Sequence, residues 1–257
     1  MRVATWNVNS VIARTERLLR WLERYQPDVL CLQELKAVDD KFPEVEVRAL
    51  GYEIAVFGQA AYNGVAILSK RPVSDVRRGL DPAIEGEDAR LISADVGGTR
   101  VIGAYVPNGG EVGSDKFEYK MAWLRRLRVY LGEHHRADEP LILCGDFNCA
   151  LDDRDVAKKD LHDNTVLTHP EIRAAVRDLE SWGLVDTFRS QHEEGGAYSW
   201  WDYRMLGFPK NNGLRIDLLY ATPPLAATLQ ETFMDRDERK GKKPSDHVPV
   251  MATFSDG

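Results

Sequence analysis

The sequence predicts an α/β (α+β) fold in which two mixed β-sheets pack together between flanking helices. Helical stretches lie at the flanks, many apolar runs of strand length lie between them, and a Gly-Gly pair joins two of these runs as a hairpin. The chain has 257 residues, 43% of them hydrophobic, which is enough for a substantial core. Since no linker, low-complexity block or internal repeat divides it, we expect one domain over 1–257.

Two strands and one helix are predicted at the start of the chain. Residues 2–7 form the first strand, and Asn9 or Ser10 is placed to cap a helix that runs to about residue 25. One face of this helix is apolar, through Ile12, Leu18, Leu19 and Leu22. The apolar run 29–32 then predicts a second, buried strand.

The middle of the chain is predicted to be mainly strand. A short helix follows Pro43, and four strands are then expected over 52–57, 64–69, 90–96 and 100–106. Gly97-Gly98 lies between the last two strands, and such a pair favours a tight hairpin turn.

The second half contains the longest predicted helix, from residue 114 to about residue 135. Its apolar residues recur at helical spacing and indicate core packing: Phe117, Met121, Leu124, Leu127 and Leu131. The run 141–144 predicts a strand, and a helix is expected over 170–182. Strands over 216–220 and 248–254 close the chain.

The net charge of the chain restricts the kinds of partner that it is expected to bind. At -7 it argues against a non-specific nucleic-acid binder, because such proteins are usually basic. A local patch can still have the opposite sign. The segment Arg239-Lys240-Gly241-Lys242-Lys243 is one candidate, and a solvated loop is the alternative interpretation.

Cysteine content and hydropathy predict a cytoplasmic location. Cys31, Cys144 and Cys149 are few and odd in number, so we expect buried free thiols in a reducing compartment. The chain opens directly into a strand rather than a signal peptide, and no apolar run is long enough to span a membrane.

The apolar run 141–144 leads directly into Gly145-Asp146-Phe147-Asn148. Alternate residues of an extended chain point the same way, so Asp146 and Asn148 are expected to emerge side by side. A carboxylate beside an amide is suited to holding and activating a water. An ordinary turn after a strand explains the same four residues.

Other polar residues also cluster where apolar strands begin or end: Asn7, Glu34, Tyr105, Asn108, Asp217, Asp246 and His247. Each has a simpler explanation as a helix cap, a turn residue or a surface charge. Their recurrence at strand ends predicts one shared site.

The chemistry that these residues could share is phosphodiester hydrolysis. Glu34 offers a hard oxygen ligand for Mg²⁺, which prefers a few carboxylates and keeps several waters. Asp146 can orient the attacking water or accept its proton, and Asn148 can hold that water or the phosphate.

Stabilisation of the phosphate is expected from the remaining groups. A protonated His247 can donate to the phosphate as charge develops, and Asp217 is the natural carboxylate to keep it protonated. Tyr105 and Asn108 add neutral donors.

Nine segments then form an ordered set along the chain: Thr5-Trp6-Asn7-Val8-Asn9, Leu32-Gln33-Glu34-Leu35-Lys36, Tyr62-Asn63-Gly64-Val65-Ala66, Tyr105-Val106-Pro107-Asn108-Gly109, Gly145-Asp146-Phe147-Asn148, Gly183-Leu184-Val185-Asp186-Thr187-Phe188-Arg189, Tyr198-Ser199-Trp200-Trp201-Asp202-Tyr203-Arg204, Gly213-Leu214-Arg215-Ile216-Asp217 and Ser245-Asp246-His247. In these segments the chain resembles the exonuclease III family of abasic-site endonucleases, within the wider endonuclease/exonuclease/phosphatase superfamily. The resemblance covers essentially the whole chain.

The resemblance implies a four-layer, DNase I-like α/β sandwich and Mg²⁺-dependent cleavage of a DNA backbone, with Mn²⁺ as an alternative ion. It assigns metal binding to Glu34, with Asn7 and Asp246 beside the metal. Asp146 would activate or orient the water. His247, paired with Asp217, would contact the phosphate, as would Tyr105, Asn108 and Asn148.

The resemblance also implies how the substrate is chosen. Trp200, with Leu214 and Ile216, resembles a pocket for a flipped-out abasic sugar, which a normal nucleotide would not fit. Duplex DNA needs a basic face, which we expect from Lys36, Lys41, Lys116, Lys120, Arg204, Lys210 and Arg215.

The expected partner is double-stranded DNA with abasic sites or 3′ ends, bound by a monomer away from any membrane. The connection 151–168 does not match the family pattern, so the balance between abasic-site incision and 3′-end processing stays open. Two alternatives remain: a phosphatase or phosphodiesterase acting on a small molecule or lipid, and a non-catalytic nucleic-acid-binding relative.

Overall fold

A computed structural model of the chain describes residues 1–81 and 86–255. The helices are α1 (Val11–Tyr25), α2 (Glu44–Ala49), α3 (Asp115–His134), α4 (Lys159–His162), α5 (Pro170–Trp182) and α6 (Pro223–Ala226). The strands are β1 (Arg2–Asn7), β2 (Val29–Gln33), β3 (Glu53–Phe57), β4 (Val65–Ser69), β5 (Val73–Arg78), β6 (Leu91–Val96), β7 (Thr99–Tyr105), β8 (Leu141–Asp146), β9 (Val185–Asp186), β10 (Asp217–Ala221), β11 (Leu229–Met234) and β12 (Val250–Phe254).

The strands form two six-stranded mixed sheets, which confirms the predicted fold class. The first has the order β11-β12-β1-β2-β4-β3 and the second β5-β6-β7-β8-β10-β9. In each sheet one central pair is parallel, β1 with β2 and β7 with β8, and the neighbouring pairs are antiparallel.

The core lies in three apolar layers, because the central strands are buried on both faces. Between the sheets, Val29 and Cys31 of β2 belong to the same cluster as Ile142 and Cys144 of β8. The opposite face of the first sheet packs against α1, and that of the second sheet against α3 and α5. The resulting order is helix, sheet, sheet, helix. Strands covered on both faces are near-continuous apolar runs, which is why the sequence marked them.

The edges of the sheets depart from the sequence expectations. β5 and β11 were not predicted, since they are edge strands whose side chains are mostly exposed or half-buried and polar. In α1, Ser10 is the cap, accepting from the amide of Ala13 at 3.3 Å. The expectation that Ile12 lies on the apolar face is wrong, because it is 57% exposed and Val11 and Trp21 are buried instead.

The expectations for the hairpin turn and for the cysteines are confirmed. Gly97-Gly98 makes the two-residue turn between β6 and β7, and both glycines have the positive φ that such a turn requires. Cys31, Cys144 and Cys149 are buried free thiols. Within residues 1–81 and 86–255, none of the helices combines the length and apolarity needed to traverse a bilayer.

The topology brings the predicted site residues to one end of the sheets. β1 and β2 run parallel and end together, with Asn7 opposite Gln33. β7 and β8 likewise end together, with Tyr105 opposite Asp146. β10 runs the other way and begins at that end, because Asp217 is paired with Asp146.

Candidate active site

Three titratable residues meet at this end of the sheets. One carboxylate oxygen each of Glu34 and Asp146 and one ring nitrogen of His247 all lie within 4.8 Å of one another. Asp146 and His247 are buried, and Glu34 is half-buried. The predicted convergence of these residues is therefore present in the structure.

Asn7 links the two carboxylates. Its amide nitrogen donates to Glu34 Oε1 and to Asp146 Oδ2, both at 2.9 Å. Its amide oxygen accepts from the backbone N–H of Asn9 at 3.0 Å, which fixes the orientation of the amide. In this arrangement the nitrogen of the amide, and not its oxygen, faces the two carboxylates, and a place for Asn7 beside the metal stays a prediction. Asn7 positions Glu34 and Asp146.

The segment 145–148, at the end of β8, forms a turn and also contributes side chains to the site. Gly145 has φ +150, and a Cβ there would lie 1.8 Å from the carbonyl oxygen of Ala104, so this position requires glycine. Asp146 ends the strand, and Asn148 has φ +48 with its N–H donating to Asp146 Oδ1 at 2.8 Å. A hydrogen-bonded turn, rather than the expected extended chain, brings Asp146 and Asn148 together.

Asn148 also connects two loops. Its amide nitrogen donates to the carbonyl of Val106 at 3.0 Å, and its amide oxygen accepts from the Asn108 side chain at 3.2 Å. The two asparagines that were predicted to contact phosphate are thus joined to one another and lie beside Asp146.

His247 is held between two carboxylates. Its Nδ1 lies 2.9 Å from Asp217 Oδ2, and its Nε2 lies 3.7 Å from Asp146 Oδ2. Burial alone would lower the pKa of His247, but Asp217 and then Asp146 outweigh it and raise the pKa to about 10. The imidazolium is therefore the form present at neutral pH.

The pKa of Asp146 is higher than that of an exposed carboxylate. Burial raises its pKa to about 7, against the lowering effect of the His247 cation. A carboxylate with a pKa in this range is suited to accepting a proton near neutral pH.

Glu34 is surrounded by donors. Tyr105 donates to Glu34 Oε1 at 2.9 Å, and the Lys36 ammonium lies 2.9 Å from Oε2. Burial raises the pKa of Glu34, but the hydrogen bonds from Asn7 and Lys36 lower it by more than burial raises it. The net pKa lies below its usual value, so Glu34 is a carboxylate. Burial, then Glu34 and Asp146, raise the pKa of Tyr105, which keeps its hydroxyl as a donor.

Asp246 is fixed by two side chains. Asn9 donates to its Oδ1 at 2.9 Å, and the indole N–H of Trp200 donates to its Oδ2 at 3.0 Å. Asn9 also accepts from Lys36 at 2.6 Å, and thus connects Asp246 to the Glu34 side of the site. From the sequence, Asn9 was expected as a candidate helix cap and as part of the segment 5–9 that carries the family resemblance, without a role in the site. The pattern Asn7-Val8-Asn9 at the end of a strand was the available signal.

The donor set fits a hard divalent cation. Glu34 and Asp246 are carboxylates in this structure, since the pKa of each is lowered by its partners despite burial. Oxygen ligands of this kind suit a hard divalent cation better than a soft or tetrahedral metal.

Arg215 is not brought to the site, and the expectation that it contacts the substrate is wrong. Its side chain is 1% exposed, and its Nε lies 2.7 Å from Asp155 Oδ1 while Nη2 lies 2.8 Å from Asp186 Oδ2. Arg189 also pairs with Asp155. The guanidinium therefore serves a buried charge network and has no path to DNA.

The residues of the predicted sugar pocket pack together in one apolar cluster. Leu214 and Ile216 are buried in a cluster with Ala150 and Val156, and the half-buried Leu167 and Trp200 pack against this cluster. Of the three predicted lining residues, only Trp200 is half-buried rather than buried, and its indole is engaged with Asp246. The apolar surface exists as predicted, but Leu167 covers part of it.

The predicted basic face is present only in part. Lys36, Arg90 and Lys116 line a cleft of about 650 Å³ that opens beside Glu34 and Tyr105. Lys120 is wrongly placed on that face, because it is fully buried. Lys41, Arg204 and Lys210 are exposed.

The segment 239–243 fits the interpretation as a loop better than the interpretation as a basic patch. Arg239 is buried and stacks on Tyr203, with 4.7 Å from its guanidinium carbon to the ring centroid. Lys240 pairs with Asp237 at 2.6 Å, whereas Lys242 and Lys243 are exposed.

Comparisons with known proteins agree with this geometry. Residues 4–247 match the endonuclease/exonuclease/phosphatase family. The chain is 35% identical to exodeoxyribonuclease III of Haemophilus influenzae over 266 residues, covering 99% of this chain and 100% of that protein. An AP endonuclease structure from Archaeoglobus fulgidus matches with a TM-score of 0.95 and 38% identity, covering 99% of both chains. A 3′ phosphatase from Neisseria, bound to a product DNA hairpin, matches with a TM-score of 0.95, 37% identity and the same coverage.

Proposed function

Because the chain belongs to the endonuclease/exonuclease/phosphatase family, we propose the activity that its site supports best. The protein is a metal-dependent DNA-repair nuclease of the exodeoxyribonuclease III type, which hydrolyses the DNA backbone at abasic sites and/or from 3′ ends. The observation that carries this proposal is the meeting of Glu34, Asp146 and His247 within 4.8 Å.

The reaction divides between two sides of the site. Asp146, oriented by Asn7 and by the N–H of Asn148, aligns the attacking water and accepts its proton. The imidazolium of His247, held by Asp217, donates from Nε2 to a phosphoryl oxygen as negative charge develops. Asn108 and Asn148 contribute neutral donors to the same phosphate.

The proposed cofactor is Mg²⁺, with Mn²⁺ as an alternative. Glu34 and Asp246 would hold the ion, and Lys36 and Asn9 hold these carboxylates in place. When bound, the metal supplies positive charge that stabilises the phosphate and its leaving oxygen.

The proposed substrate is duplex DNA. The cleft beside Glu34 is lined by three cations, Lys36, Arg90 and Lys116, against two carboxylates, Glu34 and Asp88, and this excess of positive charge suits a phosphodiester backbone. The Neisseria relative was solved with a product DNA hairpin, and the Haemophilus relative is named an exodeoxyribonuclease. We propose that one domain, acting as a monomer, carries out the reaction.

One observation favours 3′-end processing over abasic-site incision. Incision at an internal abasic site requires room for an extrahelical sugar, whereas a 3′ terminus can reach the phosphate site without base flipping. Leu167 packs on the apolar surface of Leu214 and Ile216, which together with Trp200 would receive that sugar. We propose that processing of 3′ ends is the stronger of the two activities.

The test compares three duplexes: one with an internal abasic site, one with a recessed normal 3′ end and one with a recessed 3′ phosphate. We expect cleavage with Mg²⁺ and none with EDTA, fastest on a 3′ end. An inositol phosphate tests the small-molecule alternative. Hydrolysis of that compound without action on any duplex would contradict the proposed substrate, and inactivity on all four would favour a non-catalytic relative.

A further inference from the structure

Lys120 is a buried lysine next to Asn108 and Asn148, the two asparagines proposed to contact the phosphate. Its side chain on α3 is 0% exposed. Its ammonium donates to three backbone carbonyls: Asn148 at 2.7 Å, Val166 at 3.1 Å and Asn108 at 3.2 Å. All three N–H donors of the ammonium are therefore used on the main chain.

The three carbonyls come from three different segments around the site. Asn108 follows β7, Asn148 follows β8, and Val166 lies in the connection 151–168 that sequence reasoning could not assign. The loop after β7 also packs against the aliphatic part of Lys120, since a Cβ at Gly109 would lie 2.9 Å from Lys120 Cδ. One side chain thus fixes the backbone of both asparagines and ties the connection to them.

We infer that Lys120 is a positioning residue for the hydrolytic reaction. By binding the main chain of Asn108 and Asn148, it keeps both side chains where they can contact the phosphate. A lysine suits this place because its ammonium is a compact cation with three donors, whereas the planar fork of arginine demands a different arrangement of acceptors. Burial lowers the pKa of Lys120 to about 8, which leaves the ammonium charged at neutral pH. The inference rests on the proposed function, because that function gives the asparagines their role.

A double-mutant cycle on the full chain tests the inference. With saturating Mg²⁺ and duplex DNA carrying a 3′ phosphate, we expect Lys120→Met to lower kcat about 10- to 100-fold while KM changes little, since small displacements of positioning groups cost rate of this order. In the Asn108→Ala/Asn148→Ala background, the same substitution should have almost no further effect on kcat. Equal fold-losses in the two backgrounds would overturn the inference.

Controls separate positioning from general instability. Leu127→Ala removes core packing from the same helix without touching either loop, and we expect it to lower Tm but to preserve kcat below that Tm. An equal loss of kcat in Leu127→Ala would overturn the inference. If Lys120→Met does not fold, the cycle is run with Lys120→Arg, and independence from the asparagines again counts against it. A wild-type chain inactive on every DNA substrate would instead refute the proposed function.

Discussion

At the scale of single residues, the site depends on pairs of groups whose environments push their pKa values apart. Burial raises the pKa of Asp146 to about 7, while Asp217 and Asp146 outweigh burial and raise that of His247 to about 10. These pKa values suit the proposed roles, in which the carboxylate accepts a proton near neutral pH and the imidazolium donates. Asn7 and the Asn148 N–H fix Asp146, and Asp217 fixes His247.

Replacing Asp217 should change the titration of His247. Removing the carboxylate charge in Asp217→Asn takes away the main influence that raises the pKa, so we expect that pKa to fall by at least one unit towards or below 6.5. The kcat at neutral pH should fall about 10²-fold or more, and its alkaline limit should move to lower pH.

An NMR titration of the His247 ring and a pH–kcat profile measure both effects. Asp138→Asn is a matched control, because Asp138 is exposed and lies just before β8, at the end of the strand opposite Asp146. An unchanged His247 titration in Asp217→Asn would contradict the assigned pairing.

At the scale of elements, the sequence predicted the central strands and most site residues because both have local signatures. Polar residues ending an apolar run are visible in a short window, and parallel strands necessarily bring their ends together. The edge strands β5 and β11 have no apolar run to mark them. Arg215 was misassigned because its partner Asp155 is 60 residues away in the chain, and no local pattern reveals such a pairing.

The charge network around Arg215 should support stability rather than DNA binding. Arg215→Met leaves Asp155 and Asp186 buried without their main cation, so we expect a loss of about 3–5 kcal/mol in the free energy of unfolding. Denaturant unfolding measures this loss. Arg204→Ala, on an exposed arginine, should leave the free energy of unfolding almost unchanged. A large increase in KM for DNA in Arg215→Met, with unchanged stability, would restore the substrate-contact interpretation.

The connection 151–168 should set the balance between lesions through Leu167. Leu167→Ala uncovers part of the apolar surface formed by Leu214 and Ile216, so we expect the ratio of abasic-site incision to 3′-phosphate release to rise several-fold. Parallel kcat/KM measurements on the two duplexes give this ratio. Val129→Ala, at an exposed apolar position on α3, is the control and should leave it unchanged. A ratio unaffected by Leu167→Ala would mean that this side chain does not restrict the pocket.

At the scale of the whole molecule, the charges are unevenly distributed. The net charge is -7, yet the cleft next to the site is lined by three cations, Lys36, Arg90 and Lys116, and by only two carboxylates, Glu34 and Asp88. An acidic protein with a local basic cleft is expected to bind DNA through few phosphate contacts and to depend moderately on salt. The composition alone could not show this, because it averages over the surface.

Lys116 should contribute one of these contacts. We expect Lys116→Ala to weaken DNA binding and to reduce the slope of log K against log salt by about one, as for the loss of a single phosphate contact. Lys70→Ala is the control, since Lys70 follows β4 at the end of the first sheet opposite the site. Fluorescence anisotropy at several salt concentrations provides the slopes, and a lower slope in Lys70→Ala alone would place the DNA elsewhere.

The central claim is that Asp146 and His247 act together on a DNA phosphate with a metal held nearby. The most direct measurement is the single-turnover release of phosphate from a duplex with a 3′ phosphate, by the wild-type chain and by Asp146→Asn in the presence of Mg²⁺. The affinity of both proteins for the same DNA is measured in parallel. The account predicts a loss of at least about 10³-fold in the rate, with binding changed by no more than a few-fold. Turnover in Asp146→Asn within about tenfold of the wild-type rate would contradict it.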